Sequence, residues 1–445
     1  MKKNEFTDKL IKLALPIALQ SLLLASVSAA DAFMLGRLDQ NSMAAVSLAS
    51  QVQFIMTMFL SAVTSAGSIL GSQYWGKEDI NTVDDIFNLM LKFMVIIDVM
   101  FFVLCTFTPM PLMSLLTNID ELRRIGCEYL IIAGFSYLLV GFSQSYHTIM
   151  KISGHAAMSM SVSVAAVLLN IVFNYLLIFG IGPFPMLGAR GAAISTVFSR
   201  VVEIVWCVII SYKKGYIHPH FARFFKRNTL LFKDFNKISL PILGASLIWG
   251  GGFTGYTAIV AHINADAAAA NSVAAVVRDL ICCLCNGIAT AGGIILGNEL
   301  GAGHIDTAKS YGIKLRNMSY IIGFISTGIM LALTPMIVNF MILTETARSY
   351  LTGMMVIQAF YMIGRCVNTV TINGVFDCGG DTMFDVYSLI VMMWCVAIPT
   401  ALLGAFVFHW PVLAVYACTC LDEVGKIPWV MVHFNKYKWL RDLTR

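Results

Sequence analysis

The chain has 445 residues, 58% of them hydrophobic and 12% charged, with a formal net charge of +5. Soluble domains average about 45–50% apolar and about 25% charged residues, so this composition excludes an ordinary water-soluble protein. The small positive balance gives no reason to expect a nucleic-acid partner.

Apolar runs long enough to cross a ~30 Å hydrocarbon core follow one another along the whole chain. They lie at about 11–35, 43–71, 86–108, 125–148, 157–180, 189–212, 238–262, 268–297, 312–338, 349–375, 383–408 and 411–434. Each is predicted to be a helix, because a backbone facing lipid must satisfy its own hydrogen bonds. The fold class expected is an all-α polytopic membrane protein with twelve transmembrane helices. Between Leu13 and Leu35 the first run carries one charge, Asp31, and one other strongly polar side chain, Gln20. Its start has some features of a cleaved leader. Glu5 and Asp8 sit poorly in a basic leader region, and similar apolar runs recur in mid-chain. The first run is therefore expected to be retained.

Lys2, Lys3, Lys9 and Lys12 lie before or at the very start of the first span, and residues 213–237 carry seven Lys/Arg against one acid. The alternate loops hold Arg37, Arg123, Arg124, Arg190 and Arg348. This asymmetry predicts that both termini face the cytoplasm. The aromatic–basic alternation after Pro219 fits either a helix lying in the headgroup layer or a solvated basic linker. Cysteines fall mostly within spans. Cys282, Cys283 and Cys285 point in different directions around one helix and read as packing residues rather than metal ligands. No HExxH, P-loop or Gly-x-Ser-x-Gly pattern is present, so enzymatic activity is not expected.

The basic linker divides six spans from six, and the two sets resemble each other at an offset of 225 residues. "LPI" at 15–17 meets "LPI" at 240–242, and Ala44, Ala45, Ser47 and Ala49 meet Ala269, Ala270, Ser272 and Ala274. Gly76 meets Gly301, and "SGHA" at 153–156 sits opposite "GGDT" at 379–382 after a one-residue slip. An even number of spans starts both halves on the same side, so the repeat is parallel. The expected organisation is a six-helix lobe at 1–212, a cytoplasmic linker at 213–237 and a second six-helix lobe at 238–445. In transporters built from such repeats the substrate site lies near mid-membrane between the halves.

Five stretches carry a family resemblance: "DAFMLGRLDQNSMAAVSLA" (31–49), "SQYWGKED" (72–79), "NIVFNYLLIFGIGPFPMLGARGAAISTVFSR" (170–200), "GNELGAG" (297–303) and "GGDT" (379–382). In this order they resemble the multidrug and toxic compound extrusion (MATE) family of cation-coupled antiporters, over essentially the whole chain. The resemblance implies two six-helix lobes with a central cleft open to one side at a time. It also implies export of small organic, often cationic, compounds against inward H⁺ or Na⁺. A monomer in a plasma or inner membrane is expected, with no bound cofactor.

A carboxylate within a membrane is costly and by default marks a functional site. Removal from water favours its neutral form, so a change in hydration would let Asp31 take up or release a proton. The resemblance also places the coupling acid at Asp31. The alternative is that Asp31 caps a helix end or pairs with Arg37, near the outer interface. Asn170 and Asn174 share a helix face. Either their carbonyls complete a cation shell, or their amides bond Asp31 or simply join helices. In one branch of the family the second of these positions is an aspartate. Asn174 removes that charge and puts a two-carboxylate Na⁺ site in doubt, and the lack of matching acids in the second lobe leans the coupling ion toward H⁺ over Na⁺. Thr196 matches a hydroxyl of the same pocket.

Other branches place acids in the seventh and tenth spans. Here 238–262 has none, and 349–375 offers only Arg365 as a charge. A carboxylate-based coupling site is therefore expected in the N-terminal lobe. Arg200 and Glu203, three apart, are expected to neutralise each other. Arg278 and Asp279 are adjacent and are expected to need separate partners. With 25 Met and 29 Phe in the chain, adaptable and aromatic surfaces suit flat cations. Gln53, Phe54, Met56 and Trp249 are the candidate substrate contacts. A flippase for a lipid-linked precursor is the alternative function.

Overall fold

The computed structural model describes residues 2–217, 219, 228–341 and 343–444. The segment 220–227, which holds most of the aromatic–basic alternation, lies outside the described residues. Among those described, regular structure is helical throughout. The first half comprises α1 (Lys2–Leu38), α2 (Gln40–Gly76), α3 (Ile80–Phe107), a short α4 (Pro109–Leu116), α5 (Asp120–Ile152), α6 (Ala156–Phe179) and α7 (Ala189–Lys214). The second comprises α8 (Thr229–Ile263), α9 (Ala265–Gly301), α10 (Ile305–Phe340), α11 (Glu345–Gly379) and α12 (Met383–Val407), then three short helices: α13 (Val412–Thr419), α14 (Leu421–Val424) and α15 (Ile427–Phe434).

Eleven helices among the described residues are long and apolar enough to span a membrane. The twelfth span, 411–434, is broken into α13–α15. Asp422 and Glu423 enter the otherwise apolar run on α14, and Lys426 lies in the break that follows it. Irregular backbone at membrane depth is tolerated where it is buried in protein or lines a cavity. All three charged side chains are buried.

The repeat extends to the helix ends. The pairs α2/α9, α3/α10 and α5/α11 begin 225 residues apart. Even the caps correspond: Asp39 accepts the Ser42 backbone N–H, and Asn264 accepts that of Ala267, both at 2.7 Å. Each bond satisfies one of the free donors of a helix N-terminus. Gly154 and Gly380 occupy the matching turns with φ of 81° and 76°, which places the one-residue slip in the preceding stretch.

The chain folds as two compact units. One contains Met1–Leu19, Gly76–Glu78 and Leu240–Arg445, and the other Gln20–Trp75 and Asp79–Ser239. Their borders do not coincide with 1–212 and 238–445, because each half's leading helix starts inside the other unit. In the first unit Phe6 packs on Tyr311 at 4.4 Å, and in the second Phe93 stacks on Phe235 at 5.3 Å. Phe6 and Phe235 are fully buried, so hydrophobic burial fixes these assignments. Gly76 belongs to the first unit because a Cβ there would lie 1.9 Å from the Asn298 carbonyl oxygen; only glycine permits that approach.

Candidate functional site

In the second unit, α6, a tight loop and α7 build the surroundings of Asp31. Gly180 and Gly188 adopt positive φ in that loop. Gly191 lets α7 approach α6 so closely that a Cβ would meet the Leu177 carbonyl oxygen at 2.7 Å. This return brings Ser195 and Thr196 against Asn170, which lies one turn before Asn174 on α6.

Asp31, half-buried on α1, accepts a hydrogen bond from Asn174 Nδ2 at 2.5 Å. The same amide donates to Asn170 Oδ1 at 3.2 Å. Asn170 Nδ2 donates to Ser195 Oγ and Thr196 Oγ1, both at 3.3 Å. Ser195 and Thr196 spend their own protons on the carbonyls of Asn170 and Ala192, so their oxygens accept. Asn174 is fully buried, yet its Oδ1 has no hydrogen-bond partner among the described residues. A buried acceptor without a partner is expensive, and this one belongs to the residue that holds Asp31. Arg37 lies over the Phe33 ring at 4.8 Å, whereas Asp31 bonds the Asn174 amide.

The other sequence candidates lie on α2 and α8. On α2, Gln53 is half-buried, Phe54 is 40% exposed and Met56 is 1% exposed in the core of the unit. Trp249, on α8, lies in the first unit, where Arg365 sits over its ring at 5.7 Å.

Arg200 and Glu203 pair at 2.7 Å, and a larger buried assembly surrounds them. His147 Nε2 meets Glu203 Oε1 at 3.1 Å, and its Nδ1 meets Ser159 Oγ at 2.9 Å. Gln20 on α1 reaches in to donate to Ser163 Oγ at 2.6 Å. His147 is not legible in the sequence, because a lone histidine in a span has no spacing to mark it. The expectation for Arg278 and Asp279 is corrected: they pair with each other, Nε and Nη2 donating to Asp279 Oδ1 at 3.0 and 2.9 Å. The long arginine side chain curls back along its own helix, and its guanidinium covers the Phe253 ring at 4.2 Å. Helical spacing governs where Cβ atoms point, not where five-bond side chains end.

The second lobe is also richer in carboxylates than the seventh and tenth spans suggested. Glu423 accepts from Arg365 Nη1 at 2.8 Å and from Asn368 Nδ2 at 2.6 Å. Asp385 of α12 lines the same cavity as Glu423, Arg365 and Trp249. The signal was present: Asp422, Glu423 and Lys426 interrupt the last apolar run, and charges inside a span mark function by default.

The MatE family profile matches residues 16–176 and 241–403, one copy in each half. A relative from Bacillus subtilis (strain 168), "Uncharacterized transporter YisQ", is 22% identical over 95% of this chain and 92% of that protein. "Probable multidrug resistance protein NorM" from Halalkalibacterium halodurans is 23% identical over 91% of this chain and 90% of its own length. Among solved structures, the Vibrio cholerae MATE transporter VcmN superimposes with a TM-score of 0.87 at 14% identity, covering 98% of this chain and 97% of that one. A MOP superfamily transporter from Pyrococcus furiosus also gives 0.87, at 16% identity over 96% and 95%. Twelve membrane segments in two repeated halves, with the family pattern matched in both, identify the chain as a multi-pass membrane protein of the MatE family.

Proposed function

We propose that this protein is a secondary active antiporter. It exports small organic, often cationic, compounds in exchange for inward H⁺ by alternating access of a central cleft. It acts in a plasma or inner membrane with both termini cytoplasmic. The observation that carries this reading is the Asp31–Asn174–Asn170 network with its unpaired Asn174 Oδ1. An ionised Asp31 accepts the Asn174 amide N–H, as in this structure. A protonated Asp31 becomes a donor, and Asn174 Oδ1 supplies its acceptor once the amide turns. The network thus offers Asp31 a hydrogen-bond partner in each protonation state, and the change between them is a local reorientation on α1 and α6. With Asn174 neutral, the cluster offers one formal negative charge, which suits a proton better than Na⁺. Ser195 and Thr196 hold Asn170, which in turn orients Asn174. Gln53, Phe54 and Met56 on α2 and Trp249 on α8 are the proposed substrate contacts. The relatives' names support the direction of transport.

The test is uptake of a fluorescent organic cation into inside-out-oriented proteoliposomes, under an imposed pH gradient or an imposed Na⁺ gradient. Transport driven by the pH gradient alone and lost in Asp31→Asn is the expected result. Uptake indifferent to both gradients, with Asp31→Asn fully active, overturns the reading and turns attention to lipid-linked substrates. Uptake driven by Na⁺ alone overturns the choice of ion.

A further inference from the structure

In the unit containing Gln20–Trp75 and Asp79–Ser239, the assembly around His147 joins α1, α5, α6 and α7. Both imidazole nitrogens are engaged. Nδ1 meets Ser159 Oγ at 2.9 Å, and Nε2 meets Glu203 Oε1 at 3.1 Å and Ser163 Oγ at 3.2 Å. From α1, Gln20 donates through Nε2 to Ser163 Oγ at 2.6 Å and faces Ser159 Oγ with its Oε1 at 3.5 Å. All five side chains are at most 4% exposed. The assembly lies in register with the Asp31 network. Gln20 and Ser163 are 143 residues apart, as are Asp31 and Asn174. The helices α1 and α6 are therefore joined at two polar levels, about 16 Å apart.

His147 has two hydrogen-bonding states in this setting. As a neutral imidazole with its proton on Nε2, it donates to Glu203, and Nδ1 takes the single hydroxyl proton of Ser159. Gln20 Oε1 then receives nothing from Ser159. As an imidazolium it donates from both nitrogens. Ser159 Oγ becomes an acceptor, and its own proton is released to Gln20 Oε1. One proton bound on α5 thus adds one hydrogen bond between α6 and α1.

The surrounding charges make that proton count. On α7, Arg200 occupies Glu203 Oε2 at 2.7 Å and leaves Oε1 to the ring. Those two charges cancel, so protonated His147 leaves one positive charge in excess and its loss restores neutrality. Groups on α6 and α1 that contact the assembly are uncharged. Cys207 follows Glu203 by one turn, and Lys151 follows His147 by one turn. Along this stretch α3 carries Asp84, Asp85 and Lys92; Asp84, the buried one, bonds Asn88. With both termini cytoplasmic, as proposed, the assembly stands between Asp31 and the cytoplasm, where a proton entering at Asp31 must leave.

From this geometry we infer that His147 is a second proton-binding site of the transporter, on the cytoplasmic side of Asp31, and that Ser159 and Gln20 transmit its charge to α1. The inference deepens the antiport reading and rests on it for the direction of proton movement.

The test is magic-angle-spinning NMR of the full-length protein, ¹⁵N-labelled at histidine, in lipid bilayers from about pH 5 to pH 9. The chain has eight histidines, and His147→Gln identifies the relevant signal by its loss. That signal is expected to pass from imidazole to imidazolium as the pH falls. Ser159→Ala and Gln20→Leu each remove a bond that favours the charged state. Each is expected to move the transition to lower pH by about half a unit, a roughly threefold loss of proton affinity. Ser159→Thr keeps the hydroxyl and the wild-type transition. If His147→Gln yields no folded protein, the signal displaced by Ser159→Ala and restored by Ser159→Thr gives the assignment. In pH-gradient-driven uptake, folded His147→Gln is expected to lose about tenfold or more. A His147 signal fixed in one form across the range overturns the inference. So does a transition unmoved by both Ser159→Ala and Gln20→Leu, or wild-type uptake by His147→Gln. The titration needs neither gradient nor substrate, so failure of the antiport reading shows separately, as gradient-independent uptake with the His147 transition intact.

Discussion

Replacing Glu423 with Gln tests whether the interrupted last span is held by charge. Glu423 is 2% exposed and is approached by Arg365 at 2.8 Å, Asn368 at 2.6 Å and Lys426 at 3.6 Å. Glutamine keeps the volume and one carbonyl acceptor for Asn368 but removes the carboxylate that forms ion pairs with both cations. Two positive side chains then face each other in a wall largely shielded from water. Breaking a buried pair by removing one partner costs about 3–5 kcal/mol, because an uncompensated charge remains. For a unit of roughly 200 residues, each kcal/mol moves the melting midpoint by about 2–4 °C. The expected fall is therefore roughly 6–20 °C, measured by intrinsic fluorescence on heating in a fixed detergent and at a fixed scan rate. Adding Lys426→Met removes one of the stranded cations. The double variant is expected to recover at least a third of the loss, as groups in one network are coupled. A melting midpoint within 2 °C of wild type for Glu423→Gln refutes the argument. Such a result would mean that water or backbone relaxation neutralises this site as well as the carboxylate does.

Asn174→Ala deletes a hydrogen bond to a charged group, a contribution of about 1.5–3 kcal/mol, and is expected to cut pH-gradient-driven uptake about 10-fold or more. Thr196→Val, which removes one of two acceptors for Asn170, is expected to stay within about threefold in the same assay. Gly76→Ala forces a Cβ to within 1.9 Å of the Asn298 carbonyl oxygen and is expected to abolish monodisperse protein on size-exclusion chromatography. Gly154→Ala, at φ 81° with open space around it, costs about 1 kcal/mol and leaves the elution profile unchanged. At Asp39, outside the spans, desolvation pushes the carboxyl up, but hydrogen bonds from Ser42 and the Asn41 backbone outweigh it and hold the group below its ordinary value. A depressed folded-state value means that the cap's contribution is complete above the unfolded value near 4. It is lost as the pH falls from there through the folded value. Asp39→Asn keeps an acceptor and is expected to flatten that acid-side decline in melting temperature; an unchanged decline refutes the assignment.

Much of this molecule is written in one dimension. Lipid leaves the backbone no partner but itself, so twelve apolar runs had to be helices, and the order of small and polar residues 225 apart had to be a repeat. The pair Asn170 and Asn174 was legible too, because a four-residue spacing fixes a shared helix face before any packing is known. What the sequence left undecided depends on side-chain reach and on segments distant in the chain. That Asn174 donates to Asp31 follows from the approach of α6 to α1, 143 residues away. That His147 sits between Ser159 and Glu203 follows from three helices meeting, and no local spacing encodes it. Arg278 folds back on Asp279 because a guanidinium ends far from its Cβ. The cavity beside Glu423 exists because the last span breaks where charge enters it and α11 widens to π-type turns opposite the break. Periodicity measures what a segment does alone; pairing of buried charges is settled only when segments meet, since the cost of leaving a charge unpaired is felt only after water has been excluded.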